Sequence, residues 1–114
     1  MSRRRDRVAP PPRPGGWDIR FEDNASAKGW EHLCRESPSS VRAAWEALTA
    51  EPRRRSGRQH RLKGGHRVYP VNGVEMEQWQ YEVTGSGRIW YCIDDRKKTV
   101  WLTRVSPGHP KATD

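Results

Sequence analysis

The sequence predicts an α+β domain: an N-terminal strand and a two-helix hairpin precede a twisted antiparallel sheet of three to four C-terminal strands. Two observations support this fold. Apolar residues alternate near the N-terminus and then recur at helical spacing over residues 41–48. Apolar strand-like segments separated by turn residues fill the C-terminal third. Helices segregated from a sheet of hairpins are typical of α+β proteins, so we expect the hairpin to cover one face of the sheet.

The first strand and helix follow from local signals over residues 17–34. Residues 17–21 alternate apolar and polar side chains, which predicts a short strand. Asp23 and Asn24 can cap a helix immediately afterwards. The apolar face of this helix would consist of Ala27, Trp30, Leu33 and Cys34. Gly29 lowers the helical propensity of the segment.

The second helix has the clearest pattern in the chain. Ser37 followed by Pro38 is a typical helix start, with Ser at the cap and Pro at the first helical position. The apolar residues at helical spacing are Val41, Ala44, Trp45 and Leu48. Pro52 is expected to end the helix.

The remaining strands are predicted from residue 59 onward. Residues 59–63 can form a short strand, and Asn72-Gly73 predicts a tight hairpin turn. The apolar phase changes near Glu77-Gln78, which predicts a bulge or break. Residues 89–93 are apolar throughout, so this strand is expected to be central and covered on both faces, with residues 100–105 beside it. The tryptophans expected in the core are Trp45, Trp79, Trp90 and Trp101.

The charge of the chain indicates a polyanionic partner. The formal net charge is +8, and the isoelectric point is about 10.2 with a mean hydropathy of −1.09. Nucleic acid is the first expectation for so basic a small protein, and an acidic protein partner is the second. A membrane surface ranks third, because no long basic amphipathic helix is present.

The domain organisation is predicted from composition. Residues 1–16 combine arginines and prolines with almost no apolar side chains, which predicts a disordered basic tail. Residues 17–111 are expected to form one domain, and residues 112–114 a terminus.

Compartment and cofactors are predicted from what the sequence lacks. No apolar run reaches transmembrane length, and the N-terminal arginines precede no apolar segment of a secretory signal. Cys34 and Cys92 are far apart and are expected to be reduced thiols in a cytoplasmic protein. The four His and two Cys show no zinc-site spacing, and no cofactor is expected.

Four segments together carry a family resemblance. They are residues 61–64 (Arg-Leu-Lys-Gly), 78–83 (Gln-Trp-Gln-Tyr-Glu-Val), 87–91 (Gly-Arg-Ile-Trp-Tyr) and 108–111 (Gly-His-Pro-Lys). In their order along the chain, over residues 17–111, they resemble the RelE/ParE superfamily of bacterial toxins from type II toxin–antitoxin systems, on the RelE, YoeB and HigB-like side.

The resemblance implies a function and partners. RelE-like members are ribosome-dependent endoribonucleases that cut mRNA, ParE-like members poison DNA gyrase, and both are neutralised by a small antitoxin protein. The expected function is therefore a metal-independent mRNA endoribonuclease that inhibits translation. Its expected partners are a cognate antitoxin, the ribosome and mRNA. Two alternatives stay open: a gyrase-inhibiting toxin, and a basic RNA-binding module without catalysis.

The catalytic residues implied by the resemblance are Arg88, His109, Glu82 and Lys111. In this type of cleavage the ribose 2′-hydroxyl attacks the adjacent phosphate, so the reaction needs a base, an acid and cations. Arg88 would hold the phosphate, and His109 would transfer protons near neutral pH. Glu82 would act as base, and Lys111 would stabilise the transition state.

The expected RNA-binding residues are Arg58, Arg61, Lys63 and Tyr81. Residues 52–68 contain seven cations and no acid, which suits binding to a phosphate backbone, and Tyr81 could stack on a nucleotide. Arg61 and Lys63 would share one face of a strand and His60 the other, so His60 is left out of the catalytic set. Where the best-known RelE members have lysines, this chain has Gln80 and Glu82, which fits the acid-and-His mechanism of the YoeB-like branch.

Overall fold

The computed structural model describes residues 2–108, which form two α-helices and a six-stranded sheet. The helices are α1 (Asn24–Glu36) and α2 (Pro38–Ala50). The strands are β1 (Asp18–Phe21), β2 (Gln59–Arg61), β3 (Val68–Val71), β4 (Val74–Glu82), β5 (Arg88–Asp94) and β6 (Thr99–Ser106). A single 3-10 turn, Gly64–His66, lies between β2 and β3. The α+β class and the two-helix hairpin are confirmed.

The sheet is larger and more mixed than predicted. Its strand order is β1-β6-β5-β4-β2, with β3 paired to β4. The predicted central position of β5 is confirmed, because it pairs with β4 on one side and β6 on the other. The expectation of three to four antiparallel strands misses the parallel pairing of β1 with β6. These two strands are distant in sequence, so no local sequence pattern predicts that they pair.

The predicted break near Glu77-Gln78 is a change of partner within one continuous strand. Residues 74–77 of β4 pair with β3, whereas residues 78–82 pair with β5. The irregularity lies elsewhere, between Trp90 and Tyr91 of β5 where they pair with β6. The predicted Asn72-Gly73 turn is confirmed, and both residues have the positive φ angles, 53° and 80°, that such a turn requires.

Both helices begin where their capping signals predict. The side chain of Asp23 caps α1 by accepting a hydrogen bond from the Ser26 backbone N–H at 2.7 Å. Pro38 occupies the first turn of α2, and the helix ends at Ala50, two residues before Pro52. Neither helix, within residues 2–108, is long and apolar enough to cross a membrane.

The helical hairpin covers one face of the sheet, as predicted, and the main core lies between them. This core contains Trp30, Leu33, Trp45 and Leu48 from the helices and Trp79, Tyr91 and Leu102 from the sheet, among others. Gly29 is the point of closest approach, because a Cβ atom there would collide with the backbone carbonyl of Val105. The glycine that weakens the helix in isolation therefore lets α1 pack on β6.

Residues 2–16 form an N-terminal arm that packs on the outer edge of β1. The Val8 N–H donates to the Ile19 carbonyl at 2.8 Å, and the Phe21 N–H donates to the Asp6 carbonyl at 3.1 Å. The Val8 side chain is 1% exposed and belongs to the main core. Over residues 2–16, the structure therefore differs from the prediction that residues 1–16 are disordered. The free edge of β1 supplies hydrogen-bond partners that the composition of the arm does not reveal.

Arg53, the first cation of the run over residues 52–68, makes two bidentate ion pairs. Its guanidinium donates to both carboxylate oxygens of Glu77 at 3.0 Å and to those of Asp95 at 2.9 and 2.8 Å. These contacts tie the chain after α2 to β4 and to the turn after β5. Arg53 is thus engaged in the fold, whereas the sequence pattern grouped it with RNA-binding cations.

Replacing Arg53 by Met should destabilise the protein in a pH-dependent way. Hydrogen bonds from Arg53 lower the pKa of Glu77 and of Asp95 below their ordinary values. Groups whose pKa is depressed on folding stabilise the fold above the unfolded pKa, about 4 here, and lose that contribution as the pH falls through the folded value. We expect a melting temperature about 2–6 °C lower at pH 7, with the difference shrinking towards pH 3. Thermal unfolding across pH, with Arg55→Met as control, measures this; a constant difference would contradict it.

Candidate functional site

The face of the sheet opposite the helices is only partly covered. Val71 and Met76 of the β3–β4 hairpin pack over Cys92 and Trp101 and form a second small core. Burial there raises the pKa of the Cys92 thiol to about 12, so this sulfur stays protonated. The hairpin does not cover the rest of this face, which includes Gln80, Arg88, Trp90 and Arg104. We call this part the open face.

A hollow of about 190 Å³ on the open face contains the first group of candidate residues. It is lined by Gln80, Arg88, Trp90, Arg104 and Ser106. The sheet register explains this grouping, because directly opposite residues of an antiparallel pair share a face. Gln80 faces Trp90, Trp90 faces Arg104, and Arg88 faces Ser106. The predicted Arg88 thus has a second guanidinium, that of Arg104, in the same hollow.

The turn before β5 orients Arg88. Its Nη1 donates to the Thr84 carbonyl at 3.0 Å and to the Gly87 carbonyl at 3.1 Å. The Thr84 hydroxyl in turn accepts from the Gly87 N–H at 2.8 Å, which closes the turn. A guanidinium has five N–H donors, so these contacts fix its position and leave donors for an anion.

Trp90 forms the centre of the open face instead of part of the core. Its indole N–H donates to the Gln80 side-chain oxygen at 2.9 Å. The Arg104 guanidinium carbon lies 5.3 Å from the centre of the ring, a cation–π distance. The core prediction is confirmed for Trp45, Trp79 and Trp101. It is wrong for Trp90, which is half-buried, because an all-apolar strand does not reveal that one face is left open.

His66 is a candidate that the sequence analysis missed. Its ring centre lies 4.9 Å from that of Trp90, at an interplanar angle of 53°. Gln78 holds the 3-10 turn in place, since its side chain donates to the His66 carbonyl at 2.9 Å and its backbone N–H donates to the Arg67 carbonyl at 2.9 Å. In the sequence, His66 could have been identified by its position directly after the Gly64-Gly65 break. Arg104 was likewise visible as the single charged residue of an otherwise largely apolar strand.

Glu82 lies near Arg88, whereas Arg58 lies at the strand edge. Glu82 is directly opposite Arg88 in the register of β4 and β5, so the two side chains share the open face. Arg58 is exposed and donates from Nη1 to the Glu82 carbonyl at 3.0 Å. The structure therefore brings two of the predicted catalytic residues to one end of the hollow.

The other predicted RNA-binding residues are not gathered there. Tyr81 belongs to the main core and is 6% exposed, so a nucleotide could stack on it only if the packing against the helices opened. Arg61 faces the buried Trp79, which places it on the helix-covered side. Lys63 is exposed in the loop after β2. His60, left out of the predicted set, faces Gln80 and therefore shares the open face.

Two predicted catalytic residues, His109 and Lys111, lie outside the described residues 2–108. Among the described residues, no group of three or more His, Cys, Asp or Glu side chains is placed to hold a metal ion. Within the same part of the chain, the ion pairs found involve neither Arg88 nor Arg104. Both guanidiniums are thus electrostatically available to an anionic ligand.

Comparison with known proteins supports the fold. No family model matches the chain, and no curated protein matches it. A solved structure of the toxin–antitoxin complex RelBE2 from Mycobacterium tuberculosis contains a chain that is similar, with a TM-score of 0.51 and 23% sequence identity. The match covers 80% of this chain and 96% of that one. At this identity the likeness establishes the fold, and this protein therefore has the RelE-like α+β fold that the resemblance predicted.

Proposed function

We propose that this protein is the toxin of a type II toxin–antitoxin system and that it cuts mRNA on the ribosome without a metal ion. The observation that carries the proposal is the pair of guanidiniums, Arg88 and Arg104, in one hollow near Glu82 and His66. Within residues 2–108, neither guanidinium forms an ion pair with a carboxylate. The likeness of the fold to a chain of a toxin–antitoxin complex supports the system class.

The chemistry requires phosphate binding and two proton transfers. Arg88 and Arg104 would hold the scissile phosphate, because a guanidinium binds two phosphate oxygens at once and stabilises the added charge of the transition state. The 2′-hydroxyl loses its proton to a base as its oxygen bonds to phosphorus. The bond to the 5′-oxygen then breaks, and an acid protonates that oxygen. The products are a 2′,3′-cyclic phosphate and a free 5′-hydroxyl.

Glu82 is the proposed base and His66 the proposed acid. Glu82 shares the face and the register position of Arg88, and His66 lies against Trp90, which lines the hollow. A protonated imidazole ring has an N–H that can pass a proton to the leaving oxygen. His109 and Lys111, at the C-terminus, stay candidates for the same roles, as predicted from the sequence.

The exposed cations would bind the rest of the RNA and the ribosome. Arg58 and Lys63 are both exposed, and the net charge of +8 favours phosphate backbones generally. The same charge favours an antitoxin whose binding segment is acidic. Arg61 and Tyr81 would contribute through the packing of β2 and β4 rather than by direct contact.

Expression in bacteria followed by mapping of RNA 5′ ends tests this function. We expect growth arrest and new 5′-hydroxyl ends within translated mRNA, and in a purified translation system we expect cuts only when ribosomes are present. A neighbouring gene for a small acidic protein should relieve the arrest. Growth arrest with intact mRNA and inhibited gyrase supercoiling would instead identify a gyrase poison, and RNA binding without new ends would identify a non-catalytic module.

A further inference from the structure

A second and larger cleft adjoins the hollow. Its volume is about 560 Å³, and it shares Trp90, Arg104 and Ser106 with the hollow. One wall comes from His66 and Tyr69, on the segment before and within β3. Another part of the lining is the cap and first turn of α1, through Asp23, Ala25 and Ser26. A volume of this size suits a small organic ligand.

Aromatic rings line one side of this cleft. The His66 and Trp90 rings contact each other at 4.9 Å, and Tyr69 is 38% exposed at the same cleft. Tyr69 is one of the two large hydrophobic side chains that are exposed among residues 2–108. Aromatic faces of this kind bind nucleobases by stacking.

Polar groups on the other walls suit the edge of a base. The Asp23 carboxylate can accept hydrogen bonds, and Arg104 can donate them. The Ser26 hydroxyl is buried and has no hydrogen-bond partner among the described residues. A buried hydroxyl without a partner is costly, which suggests a ligand or water that completes it. Gln78 and Thr103 form the floor and bond to each other.

We propose that this cleft binds a purine base of the RNA strand whose phosphate lies in the hollow between Arg88 and Arg104. The inference rests on the proposed function and adds a base preference to it. Purines are favoured because their larger rings offer more area for stacking on Tyr69 and His66. Trp90 and Arg104 line both cavities, so the two cavities are adjacent. One RNA strand can therefore place a base in the cleft and a neighbouring phosphate in the hollow.

Titration of the full-length protein with AMP, GMP, CMP, UMP, adenosine and inorganic phosphate tests the proposal. The readout is the NMR signal of the Trp90 indole N–H, assigned with a Trp90→Phe variant. We expect AMP and GMP to bind about three- to tenfold more tightly than CMP and UMP, and adenosine to shift the same signal. Equal affinities for all four nucleotides and for phosphate alone would overturn the base site and leave a phosphate site.

Tyr69 and Val74 provide a matched pair of variants on the same hairpin. Tyr69→Ala should weaken AMP binding about tenfold, while Tyr69→Phe keeps it, because the ring and not the hydroxyl stacks. Val74 is 54% exposed but does not line the cleft, so Val74→Ala should leave AMP binding unchanged. Equal AMP affinity in Tyr69→Ala and Val74→Ala would overturn the proposal.

Two outcomes separate this inference from the proposed function. Purine-selective nucleotide binding without any RNA cleavage would retain the base site and reject the nuclease. RNA cleavage without a purine preference at the cut, together with unselective nucleotide binding, would retain the nuclease and reject the base site.

Discussion

Arg88→Ala and Arg104→Ala should each reduce the proposed RNA cleavage by about 100-fold or more, because removing one fixed donor to a transition-state anion typically costs that much. The two guanidiniums line one hollow and lack carboxylate ion pairs among the described residues. The measurement is the single-turnover rate of mRNA cutting on programmed ribosomes. In growing cells, each variant should lose most of the growth arrest.

The two variants differ in what else they remove. Arg88 also bonds to the carbonyls of the turn before β5, so Arg88→Ala can loosen that turn. Arg104 contacts the Trp90 ring and not the turn before β5. Arg104→Ala therefore tests the loss of positive charge without a change in that turn. Arg96→Ala, in the exposed turn after β5, is the matched control for lost positive charge. Cleavage at the parental rate by a folded Arg104→Ala variant would remove Arg104 from the proposed site.

Gly29→Ala should destabilise the protein by about 3 kcal/mol, a large part of the stability of a small domain. The added Cβ would collide with the backbone oxygen of Val105, so α1 and β6 must separate. In a helix, alanine is more stable than glycine by about 1 kcal/mol. The expected destabilisation is the net value after this gain has been subtracted from the cost of the collision. Urea unfolding monitored by circular dichroism measures the difference.

Gly57→Ala is the control for this substitution. A Cβ at Gly57 meets no atom within 4 Å, and its stability change should stay within about 0.5 kcal/mol. If Gly29→Ala were as stable as the parent, the close packing of α1 on β6 would not be what fixes the helical hairpin. Because the same strand carries Arg104, a displaced α1 would also lower cleavage activity.

Local signals determined the helices and the central strand. The Asp23 cap, the Ser37-Pro38 start and the repeat through Leu48 each concern neighbours within a few residues, so they can be read without the fold. The Asn72-Gly73 turn is equally local, since its positive φ angles need those residue types. Arg88 was found through a family pattern at the start of a strand, and the structure places it on the open face.

The faces of the strands depended on distant partners. Whether Trp90 or Tyr81 is buried is decided by where the helices and the β3–β4 hairpin cover the sheet, not by the strands themselves. The same holds for Arg61, whose strand is only three residues long and whose side is set by its pairing with Trp79. His66 joined the site because Gln78, twelve positions later, holds its turn against the sheet.

The sequence by itself determined the α+β class, the helical hairpin, the central strand and the basic character of the surface, because each depends on local spacing or on summed charge. The tertiary structure alone decided that the N-terminal arm completes the edge of β1 and that Arg88, Arg104, His66 and Trp90 share one open face. The physical reason is that pairing between distant strands sets which side chains meet, and the alternation of residues within one strand does not specify which strand will be its partner.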